Sequence, residues 1–332
     1  MEETCRIPPA GFWRCSCSRP YSRRRLHPPR PRRSSFVPLP LGASYSALSP
    51  DGKRIAFLDP LGLRVLDIES RKTRTLLPPG QANSKLAFSP DGESLYFLQP
   101  DSAEPGINVL HRYWIASGKS KKVLSRVASA VAFSPDGESM VYLHQVRPGF
   151  LELWVASPDG DGERKLMAAN FLSNRVWFPE RDRAATDGVG RMATDSGPGH
   201  MLLTASPQTG EAKSVPLGID CVSMLWPNSK MGLLAIQRKS NLNGLPYGQI
   251  WRRGSADSDW NQMTRDPVGF SELVGVTSDG ATLAAMRPVF AGTFFDGMVA
   301  AFGSLFPSNS PFKYVHAQHI ERFDLVLLRL RP

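Results

Sequence analysis

Ser49-Pro50-Asp51-Gly52, Ser89-Pro90-Asp91-Gly92 and Ser134-Pro135-Asp136-Gly137 are one tetrapeptide met three times. The octapeptide Ala-Phe-Ser-Pro-Asp-Gly-Glu-Ser runs identically from Ala87 and from Ala132. Weaker copies continue the series at Phe178-Pro179-Glu180-Arg181, Trp226-Pro227-Asn228-Ser229 and Thr277-Ser278-Asp279-Gly280. The six first positions are 40, 45, 44, 48 and 51 residues apart. That period holds four short strands with their turns, the size of one propeller blade.

The tetrapeptide has the chemistry of a tight turn. Proline presets a negative φ, aspartate accepts hydrogen bonds from nearby amides, glycine takes the positive φ that closes the hairpin, and the serine hydroxyl adds a local partner. Ahead of it stand short runs of small and apolar residues, such as Leu86-Ala87-Phe88 and Ala130-Val131-Ala132-Phe133, suited to a narrow inner strand beside a channel. After it come continuous apolar stretches at 55–58, 95–98, 140–143, 233–236 and 283–286. Unbroken rather than alternating hydrophobicity predicts a strand covered on both faces. Third strands are predicted at 63–68, 109–115, 151–156 and 249–252, and basic outer strands at 73–77, 121–124 and 164–167. A further Ser-Pro-Asp-Gly at 157–160 falls in a different register and is read as an ordinary turn.

These repeats resemble those of TolB-like, WD-type β-propellers, and are particularly similar to bacterial propeller regions linked to serine/threonine kinases or winged-helix proteins. The resemblance covers roughly residues 43–288 and implies an all-β, six-bladed propeller of four-stranded antiparallel blades, extracytoplasmic if the chain behaves like its look-alikes. Two departures stand out: Arg181 replaces the turn glycine of the fourth repeat, with no strand pattern over 179–200, and the sixth repeat does not read as further strands until 323–330. The last blade is therefore complete only if strand material from the other end of the chain pairs with it.

Charge separates the N-terminal end from this body. Residues 1–41 carry nine Arg and eight Pro against Glu2 and Glu3, which leaves only +3 of the net +10 for residues 42–332. Such a segment cannot bury enough apolar surface to offset its ordering entropy and is read as disordered. The nearly balanced body carries no nucleic-acid signal, and no ordinary signal peptide is visible. The one stretch of membrane-like length, 289–306, contains Asp296 and three glycines and is not read as a transmembrane segment.

No catalytic, cofactor-binding or metal-binding residues emerge. Cys5, Cys15, Cys17 and Cys221 have neither disulfide nor zinc spacing. His316 and His319 lack a third ligand, and residues 159–163 resemble a calcium loop in composition alone. Kinase loops and a Gly-x-Ser-x-Gly elbow are absent. The singled-out residues are thus those of the turns: Ser49, Pro50, Asp51 and Gly52, Ser89, Pro90, Asp91 and Gly92, Ser134, Pro135, Asp136 and Gly137, with Asp279 and Gly280. The expected function is a non-enzymatic protein-interaction or sensory module, with rim loops and the channel mouth as the place for a protein or small-molecule ligand. The alternative is a detached propeller portion of a larger kinase, prolyl-oligopeptidase-like hydrolase or winged-helix regulator.

Overall fold

Each of the six motif copies lies where the first strand of a four-stranded antiparallel sheet turns into the second. The computed structural model describes residues 35–40, 43–82, 84–170, 172–190, 199–237, 240–242, 245–254, 258–266, 268–290 and 320–330. Among these there is no helix, and the sheets form a six-bladed propeller.

Blade 1 consists of Ser44–Leu48, Arg54–Asp59, Gly62–Asp67 and Thr73–Leu77. Blade 2 follows with Ser84–Phe88, Ser94–Pro100, Asn108–Trp114 and Ser120–Ser125. Blade 3 is Ala132–Phe133, Met140–Arg147, Phe150–Ala156 and Arg164–Asn170. Blade 4 is Leu172–Glu180, Arg183–Gly190, Gly199–Ala205 and Ala212–Pro216. Blade 5, Cys221–Leu225, Leu233–Gln237, Ile250–Arg253 and Asn261–Gln262, carries an extra hairpin, Ser240–Leu242 with Leu245–Tyr247, between its second and third strands.

Blade 6 takes three strands, Glu272–Val276, Thr282–Phe290 and Ile320–Arg329, from the C-terminal part of the chain and its fourth, Ser35–Pro38, from the N-terminal part. The last blade is therefore complete. Ser35 pairs with Leu327 and Pro38 with Asp324, and the Leu39 amide extends the ladder by donating to Phe323 O at 3.1 Å. Two expectations need correcting here. Residues 35–38 belong to the propeller and not to a disordered segment, and 183–190, within the 179–200 that lacks a strand pattern, is a strand. Residues 1–34 and 41 of the basic segment, most of 289–322, His316, His319 and the first three cysteines lie outside the described residues.

The continuous apolar stretches all become second strands with every residue buried. Their alternate side chains feed opposite neighbours. Ile55 and Phe57 pack toward blade 6 with Ala284, Met286 and Val37, whereas Ala56 and Leu58 pack toward blade 2 with Leu95 and Phe97. The same division repeats through blades 2 to 6, giving six inter-blade cores, so that burial on both faces follows from the ring itself. The equivalent strand of blade 4 escaped the pattern because its buried run is Ala184, Ala185, Thr186 and Asp187, small and polar residues.

The turns form a collar at one end of the ring. In blade 3 the Ser134 hydroxyl donates to Asp136 at 2.5 Å, Asp136 accepts from the Glu138 amide at 3.1 Å, and Ser134 Oγ accepts from the Ser139 amide at 3.0 Å. The same three bonds recur at Ser49 and Asp51, at Ser89 and Asp91, and at Thr277 and Asp279, where threonine replaces serine. The Ser134 hydroxyl and the Glu138 amide hold the Asp136 carboxyl below its usual range. Each turn also leans on the one before it. Gly92 lies over Pro50, Gly137 over Pro90, and Gly52 over Thr277 of blade 6. Arg181, in place of glycine, instead reaches the preceding turn by ion pairs to Asp136 at 3.1 Å and Glu138 at 3.4 Å.

Gly52 has φ +71°, and a Cβ there would stand 2.6 Å from Thr277 Cγ2. Gly149 has φ +78° with nothing within 4 Å of such a Cβ. Gly149→Ala should therefore cost only the left-handed strain, about 1 kcal/mol, and Gly52→Ala somewhat more, about 1.5 kcal/mol. Equal shifts of the two thermal midpoints would show that the collar contact has no weight.

Candidate functional site at the channel mouth

The first strand of each blade lines the lumen, running from the end that carries the second-to-third connections to the end that carries the collar. Near their starts these strands slip register: between Ser44 and Ala47, Ser84 and Ala87, Cys221 and Ser223, and Leu273 and Gly275. A bulge re-aims the side chain it carries. Within two of these bulges Tyr45 (φ +48°) and Lys85 (φ +57°) hold left-handed backbone without being glycine. Such conformations cost of order 1–3 kcal/mol each and collect at functional sites.

Lys85 Nζ stands 5.9 Å from the centre of the Tyr45 ring, which is 44% exposed. Glu272, from the first strand of blade 6, completes an arc over three consecutive blades. Burial pushes the Glu272 carboxyl up to about 7, against the pull of Lys85 and Arg175. Burial likewise pushes the Lys85 ammonium down, partly offset by Glu272. Charges on blades 2, 4 and 6 influence one another in this way only across the lumen. Water reaches Glu272, which is half-buried by surface, while protein surrounds it on most sides. The combination of raised carboxyl and partial access is that of a group lining a narrow opening.

Arg175 approaches from blade 4 and is held in place. One nitrogen lies 3.3 Å from the Asp187 carboxylate, whose side chain is only 1% exposed, and another donates to Val222 O of blade 5 at 2.9 Å. Burial raises the Asp187 carboxyl, and Arg175 and then His200 pull it back. Cys221 lies beside this pair; burial pushes its thiol up and keeps it protonated at neutral pH.

The residues singled out from sequence lie elsewhere. The turn aspartates bond their own serine or threonine hydroxyls at the opposite end of the first strands. The turn at 157–160 joins the third and fourth strands of blade 3, where Asp159 pairs with Arg112 at 2.9 Å. Of the tryptophans, Trp177 is buried, while Trp154 stacks on His144 at 4.7 Å and Trp260 donates to Leu217 O at 2.8 Å. Among the described residues no three His, Cys, Asp or Glu side chains converge as a metal site would require, and no helix is long and apolar enough to cross a membrane. Tyr45, Lys85, Arg175 and Glu272 were not marked by sequence reasoning. A signal did exist: Tyr45 and Lys85 each stand four residues before the motif serine, a position that the repeat makes equivalent.

Comparison with solved structures places this architecture. TolB from Acinetobacter baumannii is similar with a TM-score of 0.50 and 16% identity, over 70% of this chain and 55% of that one. This chain thus spans only a little over half the length of that protein. The putative TolB from Agrobacterium tumefaciens gives 0.50 and 14%, over 69% and 80% of the two chains. An oligogalacturonate lyase in complex with manganese gives 0.54 and 13%, over 87% and 78%. No protein-family model and no curated protein sequence matches the chain. At these identities the likeness is one of fold, and that fold is the TolB-like six-bladed β-propeller.

Proposed function

We propose that the chain is a non-enzymatic binding or sensory module whose ligand or partner protein seats at the channel mouth. The observation that carries this reading is the convergence of Tyr45, Lys85 and Glu272 on one opening, two of them held there by strained bulges. A stable ring supplies the rigid support that such a site needs, and strain retained at an opening fits recognition better than packing. The only cysteine among the described residues is buried and protonated, which makes it a poor nucleophile.

Two measurements on the purified full chain test this reading. Assays with p-nitrophenyl esters, peptide anilides and oligogalacturonate should give no turnover above buffer; turnover abolished by Lys85→Met would overturn the non-enzymatic assignment. Amide exchange over 44–48, 84–88 and 272–276 should slow when the chain meets fractions holding its partner, with the collar turns unchanged. Slowing confined to the collar would move the site to the other end of the ring.

A further inference from the structure

Lys85 and Glu272 carry opposite charges, stand on the first strands of the two blades on either side of the strand that carries Tyr45, and are each enclosed enough for burial to disfavour the charge they hold. Yet no ion pair within 4 Å joins either of them to any described residue. Two such groups held apart in a confined opening leave a gap with a positive wall and a negative wall. The bulges at Ser44–Ala47 and Ser84–Ala87, with positive φ at Tyr45 and Lys85, prevent Lys85 from relaxing as an ordinary strand residue would. Arg175, the other cation that acts on Glu272 among the described residues, is already engaged by Asp187 and Val222 O.

Resting on the reading of the mouth as a binding site, we propose that its occupant is a small zwitterion of the amino-acid class, its carboxylate on Lys85 and its ammonium on Glu272. The Tyr45 ring, between the two walls, covers the methylene stem that joins the charges. Such a ligand satisfies both walls at once, and each of its charges replaces water at a group that is already partly desolvated. A solute with one charge satisfies one wall and leaves the other worse off. The reading also fixes a pH dependence. Glu272 has to be ionised to hold an ammonium, so binding weakens as pH falls through the region of its carboxyl's titration. Among the described residues, the charged groups that act on it there are Lys85 of blade 2 and Arg175 of blade 4.

Isothermal titration of the full chain with the series from glycine to 6-aminohexanoate, together with hexanoate and hexylammonium, tests this directly. One chain length should bind at least about ten-fold more tightly than either singly charged control. Lys85→Met and Glu272→Gln should each remove about ten-fold or more of that affinity, and the swap of both residues, K85E with E272K, should restore part of it. Unchanged circular dichroism and a cooperative thermal transition well above the assay temperature establish that the variants are folded. Affinity that is flat with ligand length, equal for the singly charged controls, or indifferent to both single variants would overturn the proposal. If no zwitterion binds while a protein partner still slows exchange at the three first strands, the binding-module reading stands and this assignment of its ligand falls.

Discussion

A chain begun at Ala43, lacking Ser35–Pro38, is expected to unfold about 6 °C below the full chain and with a broader transition. That strand makes four register pairs with Ile320–Arg329, extended by the Leu39 amide on Phe323 O. It also delivers Val37 (0% exposed) and Leu39 (3%) to the core shared by blades 6 and 1. Burying two aliphatic side chains stabilises by about 2 kcal/mol each, and the ladder bonds by about 1 kcal/mol each. Ordering about six residues, at about 1 kcal/mol each, offsets the ladder's share and a little more, so the net loss is about 3 kcal/mol. At about 2 °C per kcal/mol for a chain of this size, the midpoint shift follows. The cooperativity change has a separate cause. Without the fourth strand, the third strand of blade 6 becomes an open edge at the seam where the ring is joined by non-covalent contacts alone. A synthetic peptide of residues 34–42 added in excess should recover part of the shift by adding itself back as a strand. A truncated chain that melts within about 2 °C of the parent would show that the inter-blade cores alone hold the ring shut.

How much of this was legible beforehand depended on whether local chemistry or distant pairing did the work. The turns were legible because Ser, Pro, Asp and Gly each have one job there and perform it within five residues, so the period and the blade count could be read directly. The second strands were legible wherever both neighbouring blades demand large apolar side chains. They became illegible in blade 4, where Ala184, Ala185 and Thr186 are buried and Asp187 is paired with an arginine from the adjoining strand. The closing strand could not be seen at all. Four residues, Ser-Phe-Val-Pro, among prolines and arginines carry no period, and their partner lies almost 290 residues away. The channel site was hidden for the same reason. Tyr45, Lys85, Arg175 and Glu272 sit on four different blades, and only ring closure brings them to one opening.

Glu272→Gln is expected to make the protein more stable at pH 8 and to leave its stability at pH 5 nearly unchanged. The sign follows from the direction of the shift. A glutamate in the unfolded chain ionises near 4.5, whereas burial holds the Glu272 proton to about 7 in the folded ring. Below pH 4.5 both states are protonated and the residue is neutral in its effect. As pH rises toward 7 the unfolded chain releases its proton while the folded chain keeps it, so the native state loses ground, and above pH 7 the loss is complete. The shift alone would set the loss at about 3 kcal/mol, and access of water to the opening reduces it to about 2 kcal/mol. Glutamine keeps the shape and removes the charge, so the thermal midpoint at pH 8 should rise by about 4 °C. The turn aspartates, whose carboxyls are held low, lose their contribution as pH falls through their own range, but they do so equally in both proteins and cancel in the difference. Thermal melts of the two proteins across pH 5 to 8 should therefore diverge steadily toward the alkaline end, while Lys85→Met, which removes the cation that partly offsets the burial of Glu272, should depress the midpoint at pH 8. Parallel curves for the parent and the glutamine variant would mean that Glu272 titrates as an ordinary surface carboxylate. A widening gap would mean that the ring carries, at the pH where it works, a charge that weakens its own fold, and a charge retained at that cost belongs to what the opening binds.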